Sequence, residues 1–424
     1  MQTKLSPEFK NSAEGLEAEA ILRQCVHCGF CAATCPTYQL LGDELDSPRG
    51  RIYLIKQVLE GQAPTAKTQL HLDRCLTCRN CETTCPSGVQ YGHLIDIGRK
   101  LVDQRVPRPA ATKAVRWALK EGLPSPLFAP AMALGQALRG VLPAMLKNKV
   151  PVRQSAGRLP TRQLARKVLM LEGCVQPAMM PNINSATARV LDAAGIQTVR
   201  APKAGCCGAV KFHLNDHDGG KRDMRRNIDA WWPHVEPASG LGEGVAVEAI
   251  VMNASGCGVT VKDYGHILRD DPLYADKAAR VSALTRDLSE MLPELVAALR
   301  GRVSVTVGQI AFHPPCTLQH GQQLRGGVEK HLGGLGFHIK TAGCEAHLCC
   351  GSAGTYSVLQ PDIAYQLRDR KLGHLGEMAP DVIVSANIGC ITHLQSGTAT
   401  PVRHWVELLD NALNNACPEA PPAP

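Results

Sequence analysis

Cys25, Cys28, Cys31 and Cys35, followed by Pro36, recur as Cys75, Cys78, Cys81 and Cys85, followed by Pro86. Each copy reads C-x2-C-x2-C-x3-C-P, a spacing that folds three thiolates around one iron–sulfur cubane and turns the fourth towards a neighbouring cluster. By that rule Cys25, Cys28, Cys31 and Cys85 hold one 4Fe–4S cluster, and Cys75, Cys78, Cys81 and Cys35 hold a second. Zinc takes four ligands, usually as two separated pairs, whereas here three cysteines crowd into seven residues, twice. Covalent haem attachment needs histidine after C-x-x-C, and Gly29, Ala32, Arg79 and Glu82 stand in those places. The N-terminal stretch has no apolar signal core, which reads as a chain that is not secreted. Eighteen cysteines in a reducing compartment point to metal or redox work rather than to disulfides.

A second cysteine pattern follows, and it is also duplicated. Cys206-Cys207-Gly208 matches Cys349-Cys350-Gly351, Cys174 matches Cys316, and Cys257 matches Cys390. Each unit thus offers four thiols, with Cys344 an extra one near the second set. Adjacent cysteines do not easily bridge one another, but both can ligate a centre with two metal ions in reach. Glycine after the pair lets the backbone approach closely. The functional reading is a further iron–sulfur or redox centre at these eight residues. The competing reading is a set of buried structural thiols, since free cysteine packs well in cores. His313 and His347 lie close in sequence to the second set and are candidates to tune it or carry protons.

The elements that must position these residues can be read in outline. Helices are expected over Glu14–Gln24, from Pro36, over Tyr91–Gln104 and, in the linker, over Ala111–Lys120 and Ala131–Arg139. Ser47-Pro48 reads as an N-cap followed by proline, opening a helix that Gly61 ends. The residues between the two cysteine runs are then a helical insert. Buried strands are expected before Cys174, Cys316, Cys257 and Cys390, and Gly-headed strands at Gly195 and Gly336. Strands alternating with helices imply parallel sheets, with the cysteines at the strand C-terminal ends where such folds place their sites. The fold class is therefore α+β and multidomain: a helical ferredoxin-type module over residues 1–105, a basic, partly helical linker over 106–160, and tandem α/β Cys-Cys-Gly domains over 161–300 and 301–424.

Composition excludes some functions. Aromatics are 4% of the chain, too few for a base-stacking surface, and no helix-turn-helix or finger spacing is present, so nucleic acid is not an expected partner. No dinucleotide or P-loop glycine motif occurs. The most apolar run, Leu127–Leu146, is broken by Pro130, Arg139 and Pro143, so no span is expected. Between Gln104 and Leu171 there are 13 Lys or Arg and one acid, a balance of +12, which leaves 8 − 12 = −4 elsewhere. Lys147–Lys167 is the candidate for contact with anionic lipid or an acidic partner. The alternative is a solvated linker whose apolar part packs on the chain's own domains. A chain with clusters and no place to oxidise an alcohol reads as an electron carrier for another subunit. A cluster-based sensor or regulator is the rival class.

The segments QCVHCGFCAATCPTY, DSPRGRIYLIK, RCLTCRNCETTCPSGVQYG, GCCGA, LCCGSAGTY and SANIGC together resemble the bacterial glycolate oxidase iron–sulfur subunit over essentially the whole chain. That resemblance implies FAD-binding partner subunits that oxidise glycolate to glyoxylate, with D-lactate a second substrate. It implies a quinone-type acceptor and a peripheral place on the cytoplasmic face of the inner membrane. FAD would belong to the partners only, and the isolated chain would be inactive. Iron–sulfur subunits of anaerobic glycerol-3-phosphate and lactate dehydrogenases share the layout, as does heterodisulfide reductase. In the last, each unit ends in C-x-x-C; here Cys257 precedes Gly258-Val259-Thr260 and Cys390 precedes Ile391-Thr392-His393, so one ligand per unit is missing.

Overall fold

The computed structural model describes residues 1–143, 147, 149–236 and 246–416. Its first part is all helical. Helices Ala13–Gln24, Pro48–Leu59 and Tyr91–Arg105 bury one face each around Leu22, Ile55, Leu59, Leu94 and Ile95, all fully buried. Burying each such side chain contributes about 1.5–3 kcal/mol. Ser47 caps the second helix by accepting from the Gly50 N–H at 3.0 Å, and Pro48 occupies its first turn, as the sequence predicts. The second and third helices approach closely because Gly98 has no side chain: a Cβ there would lie 2.5 Å from Ile55. Helix Ala66–Asp73 completes the insert between the cysteine runs.

Two four-stranded parallel sheets follow. The first comprises β1 (Arg166–Met170), β2 (Ile196–Val199), β3 (Ala249–Met252) and β4 (Thr285–Asp287), in the order β2-β1-β3-β4. The second comprises β5 (Ile310–Phe312), β6 (Ile339–Thr341), β7 (Val382–Ser385) and β8 (Val402–His404), in the order β6-β5-β7-β8. The orders are the same, so the duplication seen in the cysteines extends to topology. The registers repeat as well: Val168 pairs with Ala249 in the first sheet, and Ile310 with Val382 in the second. In both, the order reverses between the first and third strands. Crevices at such reversals are where open α/β sheets bind ligands. The two sheets are not independent bodies. Val168, Ile183 and Leu191 belong to the same apolar core as Phe312, Val384 and Trp405.

Three expectations shift. The strand at Gly336 begins only at Ile339, because Gly336, at φ +96°, and Phe337 terminate the preceding helix through the Phe337 N–H to the Leu332 carbonyl. The linker helix expected at Ala131–Arg139 runs Phe128–Ala137, with Pro130 tolerated in a first turn whose N–H groups have no helical partner. The linker's apolar residues pack inward only in part: helices Ala110–Gly122 and Phe128–Ala137 contain no fully buried residue, while Leu119 and Leu123 line the cavity between the helical module and the sheets. The linker also lies across the body through polar contacts, such as Arg116 to the Leu214 carbonyl and Lys120 to Asp216. Parts of Leu127–Leu146 and of Lys147–Lys167 lie outside the described residues.

Candidate metal centres

The two N-terminal cysteine runs have matching backbone turns. His27 and Gly29 flank Cys28 with φ +56° and +86°; Thr77 and Arg79 flank Cys78 with φ +52° and +57°. Left-handed residues on either side of a cysteine curl the chain and turn its amides inward, the geometry of an anion-holding nest. The Thr77 N–H accordingly donates to Cys75 Sγ at 3.4 Å, as does the Tyr91 hydroxyl at 3.7 Å. Arg79 holds its left-handed conformation without being glycine, and its side chain is tied to Asp263 at 2.7 Å. One small cavity is lined by Cys25, Cys28, Cys31, Cys81 and Cys85; a second is lined by Cys35, Cys75, Cys78 and Cys81.

The electrostatics of these cavities suit a metal cluster. All seventeen described cysteines are free thiols. Burial and the neighbouring sulfurs push Cys31 up to about 11 and raise Cys78 and Cys81 well above the ordinary thiol range. Metal ligation reverses that cost, because a coordinating thiol gives up its proton outright. A buried cation stands ready for the charge. Arg51, 1% exposed, donates to the His71 carbonyl at 2.7 Å and to Thr37 Oγ1 at 3.1 Å, and pairs with Asp46. Thr37 in turn touches Cys35 Sγ at 3.2 Å. Burial opposes the Arg51 charge, but Tyr91, Cys75, Cys35 and Asp46 hold its pKa above the ordinary value. Sequence inspection missed Arg51, since nothing in an amphipathic helix marks an inward-facing arginine.

The Cys-Cys-Gly thiols sit just past the C-terminal ends of β1, β2 and β3, and of β5, β6 and β7. Their sulfurs form two chains: Cys174–Cys206–Cys207–Cys257 and Cys316–Cys349–Cys350–Cys390. In the first set the neighbouring Cys174 and Cys207 thiols lower the Cys206 pKa below the ordinary thiol range. In the second set Cys316 Sγ lies 3.8 Å from Cys349 Sγ. Gly208 and Gly351 have φ +91° and +88°, and a Cβ would fall 2.8 Å from the Gly220 carbonyl oxygen or 2.4 Å from that of Ala364. The close approach that glycine allows is therefore to the backbone of a following helix. Lys371, 2% exposed, donates from its ammonium to the Glu345 carbonyl; burial lowers its pKa, against which the charges of Cys350 and Cys349 act. His313 is buried next to Cys350 and Cys390. His347 contributes its carbonyl oxygen, which accepts from His320 and Asn80, and Cys344 is exposed.

The three parts meet at the thiols. Cys78 and Leu76 pack with Cys316, Cys349 and Tyr356, and the Tyr356 hydroxyl donates to the Arg74 carbonyl at 2.9 Å. A cavity of about 550 Å³ between the helical module and both sheets is lined by Cys75, Cys174, Cys206, Cys257, Cys316 and Cys390, among others. Cysteines at this density around shared spaces, with buried counter-charges, define an iron–sulfur electron-transfer protein. Comparison with known proteins narrows the class. Residues 21–89 match the 4Fe-4S dicluster domain family, and residues 168–262 and 310–395 match the cysteine-rich domain family. The chain is 55% identical to the glycolate oxidase iron–sulfur subunit of Escherichia coli, over 97% of this chain and 99% of that protein. It is 30% identical to the probable glycolate oxidase iron–sulfur subunit of Bacillus subtilis, over 93% and 92%. Lactate utilization protein A of Bacillus licheniformis aligns at 26% identity with 58% of this chain and 99% of its own length. The chain belongs to the glycolate oxidase iron–sulfur subunit family.

Proposed function

We propose that this chain carries electrons within a flavin-dependent glycolate dehydrogenase, from FAD-bearing partner subunits to a quinone-type acceptor, and is inactive alone. The observation that carries this reading is that in each N-terminal cavity the first three cysteines of one run share a space with the fourth cysteine of the other, Cys81 lining both cavities. Cys25, Cys28, Cys31 and Cys85 are the proposed ligands of one 4Fe–4S cluster, and Cys75, Cys78, Cys81 and Cys35 of the other. Bound clusters supply reversible one-electron transfer. The chain's own residues bury the second site more deeply than the first, where Cys28 is exposed, and Arg51 sets the charge balance of the second. The Cys-Cys-Gly thiols are the proposed ligands of a further centre, joined to the second cavity by the packing of Cys78 on Cys316 and Cys349.

Peripheral membrane contact is the second part of the proposal. No helix of the described residues is long and apolar enough to cross a bilayer. The linker nevertheless exposes Trp117, Leu127 and Leu134, and the cations Lys113, Arg153 and Arg158 of the same linker are exposed as well, a combination suited to an anionic interface. Arg162 and Arg166 are less available, being paired with Asp192 and with Glu248 and Glu294. The test is anaerobic co-purification with the flavoprotein subunits, followed by glycolate-dependent dye reduction by each fraction. Glycolate oxidation by the isolated chain, or a complete complex that is fully active towards quinone without this chain, overturns the reading.

A further inference from the structure

His313 and Leu171 occupy the same place in the two units. The Leu171 N–H donates to the Val251 carbonyl in β3 at 3.3 Å, and the His313 N–H donates to the Val384 carbonyl in β7 at 2.8 Å. Each is the residue at which the first strand of its sheet hands over to the loop carrying Cys174 or Cys316. In the first unit the side chain is an ordinary core leucine, packed with Leu169, Val261 and Tyr264. In the second it is an imidazole, 1% exposed, with neither ring nitrogen hydrogen-bonded to any group. Leaving a buried polar group without a partner costs about 1–3 kcal/mol, and here a ring with two such atoms stands where the sister unit has leucine.

The imidazole is aimed at sulfur. One His313 nitrogen and the Sγ atoms of Cys350 and Cys390 all lie within 4.8 Å of one another, and all three residues are buried. Metal–sulfur bonds of about 2.3 Å and metal–nitrogen bonds of about 2.0 Å put tetrahedral donors roughly 3.5–3.8 Å apart. The three atoms therefore need to draw together by at most about 1.3 Å to share one ion. The second unit also lacks the C-x-x-C ending that would supply another thiolate, with Ile391-Thr392-His393 after Cys390.

We propose that His313 is a nitrogen ligand of the metal centre in the second Cys-Cys-Gly unit, beside Cys350 and Cys390, so that the two units hold chemically different centres. This rests on the reading that these units bind metal. An imidazole is neutral where a thiolate is anionic, so the second centre carries less negative charge than an all-thiolate one. Exchanging thiolate for imidazole raises the potential of an iron–sulfur centre. The second centre is then the better electron acceptor of the two, and it is the one packed against Cys78 of the helical module.

The test uses the full chain, purified anaerobically with its N-terminal cubane signals intact. Metal analysis first compares the wild type with Cys350→Ser and Cys390→Ser. The nitrogen is then sought by pulsed EPR if the metal is iron, or by X-ray absorption at the zinc edge if it is zinc. The expected result is imidazole coordination in the wild type that is lost in both His313→Leu and His313→Cys. His313→Leu copies the first unit at a site of known shape. His313→Cys is expected to keep the metal and, for an iron centre, to move its potential negative. A metal-loaded second unit without a nitrogen ligand, or a nitrogen signal that survives His313→Leu, overturns this inference alone. Unchanged metal content in both serine variants overturns the metal-binding reading of the unit and the inference with it.

Discussion

Arg51 and Gly351 do opposite things at the residue scale: one supplies charge and the other gives up volume. Arg51→Met removes a buried cation that reaches Cys35 through Thr37. Asp46 keeps Arg74 at 2.8 Å, so the stability loss belongs at the lower end of that for broken buried pairs, about 3 kcal/mol. The potential of the centre held by Cys35, Cys75, Cys78 and Cys81 should become more negative, because the reduced state loses a stabilising charge. EPR-monitored titration should show the other N-terminal centre unmoved; equal shifts in both would mean a general loosening. Gly351→Ala meets both a left-handed φ and a carbonyl oxygen at 2.4 Å, and should cost about 2 kcal/mol or more. Gly326→Ala has a comparable φ, +69°, but nothing within 4 Å, and should cost only about 1–2 kcal/mol. Denaturation midpoints that rank these two variants the other way would refute the packing argument.

The linker helices pose a question at the scale of elements, because they bury no residue fully and yet expose large apolar side chains. Trp117 is 65% exposed and Leu134 61% exposed. If they meet a bilayer, the double variant Trp117→Ser, Leu134→Ser should float several-fold less with vesicles containing anionic lipid. Lys113→Glu with Arg153→Glu should do the same at low salt and converge on the wild type as salt screens the attraction beyond ~8 Å. Unchanged flotation in both variants would rule out this face. The elements also show what was legible beforehand. Ser47-Pro48, Cys35-Pro36 and the apolar runs ahead of Cys174, Cys257, Cys316 and Cys390 announce their helices and strands, because caps and buried strands have local signatures; Pro86 opens only a turn. Thr285–Asp287 and Val402–His404 did not announce themselves. Three residues carry no periodicity, and these edge strands form only because β3 and β7 are there to pair with. The thiol sets were legible as spacing, but the roles of Arg51, Lys371 and Tyr356 depend on contacts between distant segments that no local pattern encodes.

The whole molecule depends on the helical module staying docked on the first sheet unit, since these two form part of the wall of the shared cavity. Glu17 is a main tie. Its carboxylate meets His266 at 3.0 Å and Arg269 at 2.7 Å across the junction, and His93 stacks on His266 with ring centroids 3.9 Å apart. Burial pushes its pKa up, but the hydrogen bonds and charges of His266 and Arg269 outweigh it and lower the carboxyl from 4.5 to about 2. A carboxyl depressed in the folded state stabilises it fully above the unfolded pKa and loses that contribution as pH falls towards the folded one. The Glu17 contribution is therefore whole above about pH 4.5 and fades between there and about 2. Arg269 does not titrate in this range, so it preserves the attraction at neutral pH whatever the state of His266. Glu17→Gln should lower the denaturant midpoint by a similar amount at pH 8 and pH 7, and the gap from the wild type should shrink only below about pH 4.5. Hydrogen exchange should locate the loss at the junction, with faster exchange in Ala13–Gln24 and Tyr264–Ile267 and little change in the second sheet. A gap that widens towards acid pH would mean that Glu17 is protonated in the native junction, and the tie would then be a neutral hydrogen bond.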